Sequence, residues 1–112
     1  MNKIMLLGRL TKDVEVKKFS TDGEREGLLV GRYTLAVNRP YKRKGEQEAD
    51  FINIVTFGKA AEFAEKYFKK GQQVAIAGRL QIKQFDGEDG KRQYFTEVVV
   101  EEQHFAEGKR ID

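Results

Sequence analysis

Residues 50–71 read "DFINIVTFGKAAEFAEKYFKKG", and inside this stretch the spacing of apolar residues changes from strand-like to helix-like. The first part, DFINIVTF (50–57), is dense in β-branched and aromatic residues, as a strand requires. Past Gly58, the residues Ala60, Phe63, Ala64, Tyr67 and Phe68 recur at i, i+3, i+4, i+7 and i+8, with Lys and Glu between them. That spacing predicts one amphipathic helix over 59–70 with a core-facing stripe. Gly71 is its expected stop, and Lys69 and Lys70 fill the last turn, where the helix dipole favours cations.

Every other segment reads as strand or turn. IMLL (4–7) and DVEVK (13–17) form a first strand interrupted near Gly8, because a glycine inside a strand pattern marks a bulge or sharp bend. STDGEREG (20–27) is a turn or loop, and LLVGRYTLAVN (28–38) is a second strand that stops at Arg39-Pro40. Residues 50–57 make the third. QVAIAGRLQIKQF (73–85) and RQYFTEVVVEE (92–102) are the fourth and fifth, joined by the glycine-bearing turn DGEDGK. The order is three strands, one helix, two strands. It predicts an all-β domain, a five-stranded Greek-key barrel of the OB type with its helix between the third and fourth strands.

Composition limits what such a barrel does. The 112 residues suffice for one domain, and 39 % hydrophobic against 35 % charged residues describes a compact core under a large polar surface, not a membrane protein or a disordered tail. The net charge of +3, from 21 basic and 18 acidic residues, is too small to name a partner, so clustering has to decide. There is no cysteine and one histidine, which leaves no disulfide, no thiolate nucleophile and none of the usual zinc ligand sets; no cofactor or metal is expected. The opening MNKIMLLGRL has an apolar run of only four residues before Gly8 and Arg9. That is too short for a signal peptide or a membrane span, and a cytoplasmic protein without membrane contact is expected.

Alternation along the strands sorts the side chains into two faces. In 73–85, Val74, Ile76, Leu80 and Ile82 share the expected core face, and Arg79, Gln81, Lys83 and Phe85 share the other. In 50–57, Phe51, Asn53, Val55 and Phe57 oppose Ile52 and Ile54, and alternation alone leaves open which set is inside. The segment RPYKRKGEQEADF (39–51) adds Tyr41 and Phe51 at the two ends of a charged loop. Tyr41, Phe51, Phe57 and Phe85 each have Arg39, Lys42, Arg43, Lys44, Lys59, Arg79 or Lys83 nearby in the chain. Cations interleaved with aromatics suit a single-stranded nucleic acid, because cations track phosphates while flat rings stack on unpaired bases.

These segments resemble the bacterial single-stranded DNA-binding proteins. MNKIMLLGRLTKD at the start, TLAVNR (34–39), EADFINIVTFGKAAE (48–62), YFKKG (67–71), GRLQ (78–81) and TEVVVE (96–101) look like that family's blocks, in its order, over nearly the whole chain. The resemblance implies an OB-fold domain over residues 1–106, assembled as a homotetramer, that binds single-stranded DNA with little sequence preference during replication, repair and recombination. It implies base stacking by Tyr41, Phe51, Phe57 and Phe85, with phosphate contacts from Arg39, Lys42, Arg43, Lys44, Lys59, Arg79 and Lys83. Members of the family often carry tryptophan at several stacking positions, and this chain has none. The loop at 20–27 is a few residues longer than the family pattern. The family commonly continues into a polar tail with an acidic tip that recruits other genome-maintenance proteins; with the short end EGKRID (107–112), recruitment by that route is not expected.

The remaining polar residues have blander readings. Glu46, Glu48 and Asp50 are the loop's solvated return and not a metal site, since no positioned histidine, lysine or second acidic pair accompanies them. Tyr33 and His104 read as structural, and Tyr94 beside the 86–91 turn stays open as a DNA contact. Two competing functions remain: an OB-fold accessory of primosome assembly that acts through protein contacts, and an OB-fold nuclease.

Overall fold

The computed structural model describes residues 1–19, 27–41 and 43–106. Along the chain the elements are β1 (Ile4–Leu10), β2 (Glu15–Phe19), β3 (Leu28–Asn38), β4 (Ala49–Phe57), α1 (Lys59–Tyr67), β5 (Gln73–Asp86) and β6 (Arg92–Phe105). Five of the strands close on themselves. β1 pairs antiparallel with β5 on one side and, at Arg9 and Leu10, with Ala36 and Leu35 of β3 on the other. β3 pairs with β4, β4 runs parallel to β6 through Ile54–Val98 and Val55–Val99, and β6 returns to β5. The parallel pair requires a crossover, which α1 and β5 supply. β2 extends the line of β1 along β3, with Glu15 opposite Arg32 and Phe19 opposite Leu28. The result is the expected Greek-key barrel, an OB-type fold with its helix between the third and fourth barrel strands.

The first strand breaks at residues 11–14 and not near Gly8, which stays within β1. Gly8 is needed there for closeness: a Cβ on it would stand 2.7 Å from the Ala36 carbonyl oxygen, where β1 crosses onto β3. Gly78 has a similar task at the bulge in the β5–β6 ladder, where a side chain would run into the Val99 carbonyl. The predicted loop at 20–27 falls outside the described residues except for Gly27.

The core joins Leu10, Tyr33, Leu35, Ile54, Ala64, Phe68, Val74, Ile76 and Val98, all buried. β4 therefore faces inward with Ile54, and Ile52 packs against the same cluster, which settles the alternation in favour of Phe51 and Phe57 outside. Two expectations need correction. Leu80 and Ile82 are exposed and do not belong to the core. β5 is held between β1 and β6 as far as Gly78, and the Asn2 side chain then bonds the Leu80 N–H and carbonyl; farther out, where β6 no longer pairs with β4, β5 and β6 form a two-stranded arm that leaves Leu80 and Ile82 partly in solvent.

The helix ends at Tyr67 and not at residue 70, and its buried positions are Ala61 and Ala64. Phe68 turns extended (φ −93°, ψ 122°) while its N–H still closes onto the Ala64 carbonyl at 2.9 Å. That turn delivers its ring into the core, edge-on to Tyr33 at 6.1 Å between centroids. Phe63 and Tyr67 are left partly exposed, their rings tilted at 49° with centroids 4.9 Å apart, and Phe105 lies 5.8 Å from Phe63. Tyr33 donates its hydroxyl to Gln103 Oε1 at 3.0 Å, and Gln103 Nε2 donates to the Ala60 carbonyl at 2.7 Å, tying β6 to the first helical turn. Burial pushes the Tyr33 phenol above its ordinary range, so it stays a neutral donor. No helix among the described residues is long and apolar enough to cross a membrane.

Candidate nucleic-acid interface

Register decides which side chains become neighbours on the outer face of the barrel. Across β3 and β4 the outward pairs are Val30–Phe57, Arg32–Val55, Thr34–Asn53 and Ala36–Phe51. Val55 sits beside Val99 of β6, and across β6 and β5 the pairs continue as Val99–Arg79, Glu97–Gln81, Phe95–Lys83 and Gln93–Phe85. One continuous four-stranded surface thus carries Phe51, Phe57, Phe85, Arg79 and Lys83. Its floor is apolar, since Val30, Val55 and Val99 form a small buried cluster of their own beneath the longer side chains.

The rings on this surface are open to solvent. Phe51 is 64 % exposed, Phe57 40 % and Phe85 51 %, although aromatic area in water is unfavourable unless something covers it. Phe51 and Phe57 lie six positions apart on one strand, roughly 20 Å. That spacing puts separate platforms along the surface and no single aromatic pocket. Tyr41, 87 % exposed, stands just beyond the end of β3 at the start of the connection to β4. Tyr94 pairs with Gln84 and so points to the opposite face of the arm from Phe85. Phe95 is a half-buried ring on the candidate face itself, directly opposite Lys83. Phe95 lies outside the set expected from the sequence, although its alternation with Glu97 and Val99 marks the same face.

The cations divide into engaged and open ones. Arg39 donates from Nε and Nη2 to Asp50 Oδ1 at 3.0 and 2.8 Å and has Glu46 at 3.8 Å. The bond to Arg39 holds the Asp50 carboxyl below the usual carboxylate range. Both residues belong to the alternation set opposite Phe51, and they clamp the base of the β3–β4 connection. Glu46 and Asp50 are thereby turned onto a cation, and no cluster of three or more metal-ligating side chains occurs among the described residues. The Arg43 backbone carbonyl closes a turn by accepting the Glu46 N–H at 2.9 Å, with Gly45 at φ 89°, and the Arg43 side chain is exposed. Lys44 is exposed, as is Lys59, which opens the helix directly after Phe57 and Gly58. Lys42 falls outside the described residues.

Arg79 reaches Gln81 Oε1 at 3.3 Å, and Lys83 reaches Glu97 at 3.1 Å. Arg32, on the same face and absent from the sequence-based set, also turns toward Glu97. Its position opposite in alternation to Tyr33 and Leu35 was the available signal. Chemically the face offers flat apolar platforms with cations at their flanks. Platforms and cations so arranged can take an extended chain of aromatic, anionic units.

Known proteins give the same direction. The model of the family described as the single-strand binding protein family matches residues 1–106. A protein of Clostridium acetobutylicum named single-stranded DNA-binding protein 3 is 50 % identical over 107 residues, covering 96 % of this chain and 72 % of that protein. Another from the same organism, named single-stranded DNA-binding protein 1, is 45 % identical over 111 residues, covering 98 % of this chain and 97 % of its own length. A Bacillus cereus protein named single-stranded DNA-binding protein is 45 % identical over 108 residues, covering 96 % of this chain and 61 % of its own. With a barrel of this topology, an aromatic and basic outer face, and similarity over nearly all its length, the chain belongs to the single-strand binding protein family.

Proposed function

We propose that residues 1–106 bind single-stranded DNA with little sequence preference, in replication, repair and recombination, by stacking bases on Phe51, Phe57, Phe85 and Tyr41 while Arg43, Lys44, Lys59, Arg79 and Lys83 meet phosphates. The observation that carries this reading is the exposure of three phenylalanines on one basic sheet face. Every base has a π-face, so stacking tolerates any sequence, and cations read the backbone without regard to base. Arg39 contributes by setting the loop, with its outer edge near phosphate. Nothing in this scheme breaks a covalent bond; the protein holds the strand and does not process it.

Self-association to a tetramer in the cytoplasm completes the proposal. Its support is the edge of β1: Met5 and Leu7 are exposed beside Ala77 and Ala75, and only Arg9 and Leu10 of that strand pair with β3. An unpaired strand edge next to an exposed apolar strip favours a second copy.

Titration of a dT oligonucleotide, followed by light scattering and tyrosine fluorescence, tests both parts. Phe51→Ala is expected to bind about 5- to 150-fold more weakly, corresponding to ~1–3 kcal/mol per stacked base, with unchanged melting temperature. Unchanged affinity in Phe51→Ala and Phe85→Ala would remove the stacking assignment. A mass of one chain at micromolar concentration would remove the assembly.

A further inference from the structure

Glu97 is a carboxylate buried in the middle of the face that is proposed to receive a polyanion. Its side chain is only 2 % exposed, whereas Arg32 and Lys83 beside it are about half exposed. Lys83 Nζ lies 3.1 Å from Oε1, Gln81 Nε2 donates to that same oxygen at 3.1 Å, and Arg32 Nε stands 3.9 Å from Oε2. Three strands meet at this point: β3 brings Arg32, β5 brings Gln81 and Lys83, and β6 brings Glu97. A buried charge is costly unless paired, and a negative one under a DNA-binding surface also repels the ligand. An apolar residue would have continued the Val55–Val99 floor. The anion therefore needs a reason on this face.

The geometry points to Arg32 as an additional phosphate-contacting residue and to Glu97 as a positioning residue, a built-in competitor of phosphate that occupies Arg32 and Lys83 until DNA arrives. The inference rests on the single-stranded DNA reading given above. In the free protein the carboxylate holds both cations on the face with their outer edges in water. An arriving phosphate must share them with a fixed anion in a poorly hydrated setting, where charge pairs interact more strongly than at the surface. The two cations and the one anion together present a net single positive charge. Binding at this point is thereby moderated, which suits a protein whose strand must later be released.

The experiment is salt-dependent binding of a dT oligonucleotide to wild type and Glu97→Gln, which keeps the side-chain shape and removes the charge. Glu97→Gln is expected to bind more tightly at low salt. Its plot of log affinity against log salt should steepen by about 0.7 to 1.4, one or two further phosphates at ~0.7 each. A tenfold drop in salt would then strengthen the variant about 5- to 25-fold more than wild type. An unchanged slope, or weaker binding by a variant with native circular dichroism, overturns the inference. Lys83→Met in the wild-type background gives an independent answer should Glu97→Gln not fold. Because Glu97 already offsets Lys83, its loss should shallow the slope by well under the ~0.7 of a free cation, and a full 0.7 counts against the competitor role. If wild type itself ignores the oligonucleotide, the binding proposal falls first. If wild type binds and the Glu97→Gln slope matches it, only the role of Glu97 falls.

Discussion

The barrel wall and the β5–β6 arm are parts of the same two strands, yet alternation means different things in them. Up to Gly78, β5 is hydrogen-bonded on both sides, and its alternate residues Val74 and Ile76 are buried in the core. Past the bulge, the same alternation places Leu80 and Ile82 on a face that no third strand covers. Period two assigns residues to faces; it does not say whether either face has a partner. Both sides of the arm are largely solvated, and one of them carries Lys83 and Phe85, the residues proposed to meet DNA there. The wall makes the opposite use of its strands: Ile52 and Ile54 pack on the core side, and Phe51 and Phe57 are left outside, where the proposed function uses them.

The difference is sharpest in stability. Ile54→Ala, in the wall, removes fully buried methyl groups and is expected to cost about 2–5 kcal/mol in denaturant unfolding. Ile82→Ala, in the arm, should stay within about 0.5 kcal/mol of wild type. Equal losses would mean that the arm is packed against something, a second copy of the chain being the first candidate.

Within the arm the two faces should separate in binding. Phe85→Ala is expected to weaken dT binding by ~1–3 kcal/mol, and Tyr94→Ala, on the reverse side, by clearly less. Equal effects in a titration of both variants would mean that the strand wraps the arm on both sides.

The smallest effect belongs to the β3–β4 connection, where Arg39 holds Asp50. Asp50 titrates lower in the folded protein than in the unfolded chain because of its bond to Arg39. Its stabilising contribution is therefore complete above the ordinary Asp value and disappears as pH falls through the lowered one. The melting temperature of Asp50→Asn should sit slightly below wild type at neutral pH, and the gap should close below about pH 4 and in high salt. A gap that persists at pH 2 would assign the effect to packing and not to charge.

Much of this was legible in the sequence. The change of period at Gly58 placed the helix, the β-branched runs placed the strands, and alternation put Phe85 opposite Val74 and Ile76; for Phe51 and Phe57 it gave a shared face but not which side was inside. Legibility failed where a distant segment decided. Phe68 sits in the helical stripe yet leaves the helix, and from an extended backbone its ring meets Tyr33 of the distant strand β3 edge-on. Arg39 looked like one more cation of a basic loop, but Asp50 across the hairpin engages it. Glu97 resembled an ordinary polar position within TEVVVE, and its burial arises only when β3 and β5 bring Arg32, Gln81 and Lys83 around it.

By itself, then, the sequence determined which segments extend, which one coils, and which rings and charges share a strand face, since those follow from local backbone preference and a fixed side-chain period. The tertiary structure alone decided which faces are covered, where a strand passes from wall to arm, and which cations already hold an anion. Those depend on contacts between residues far apart in the chain, such as Glu97 with Arg32, that no local pattern encodes.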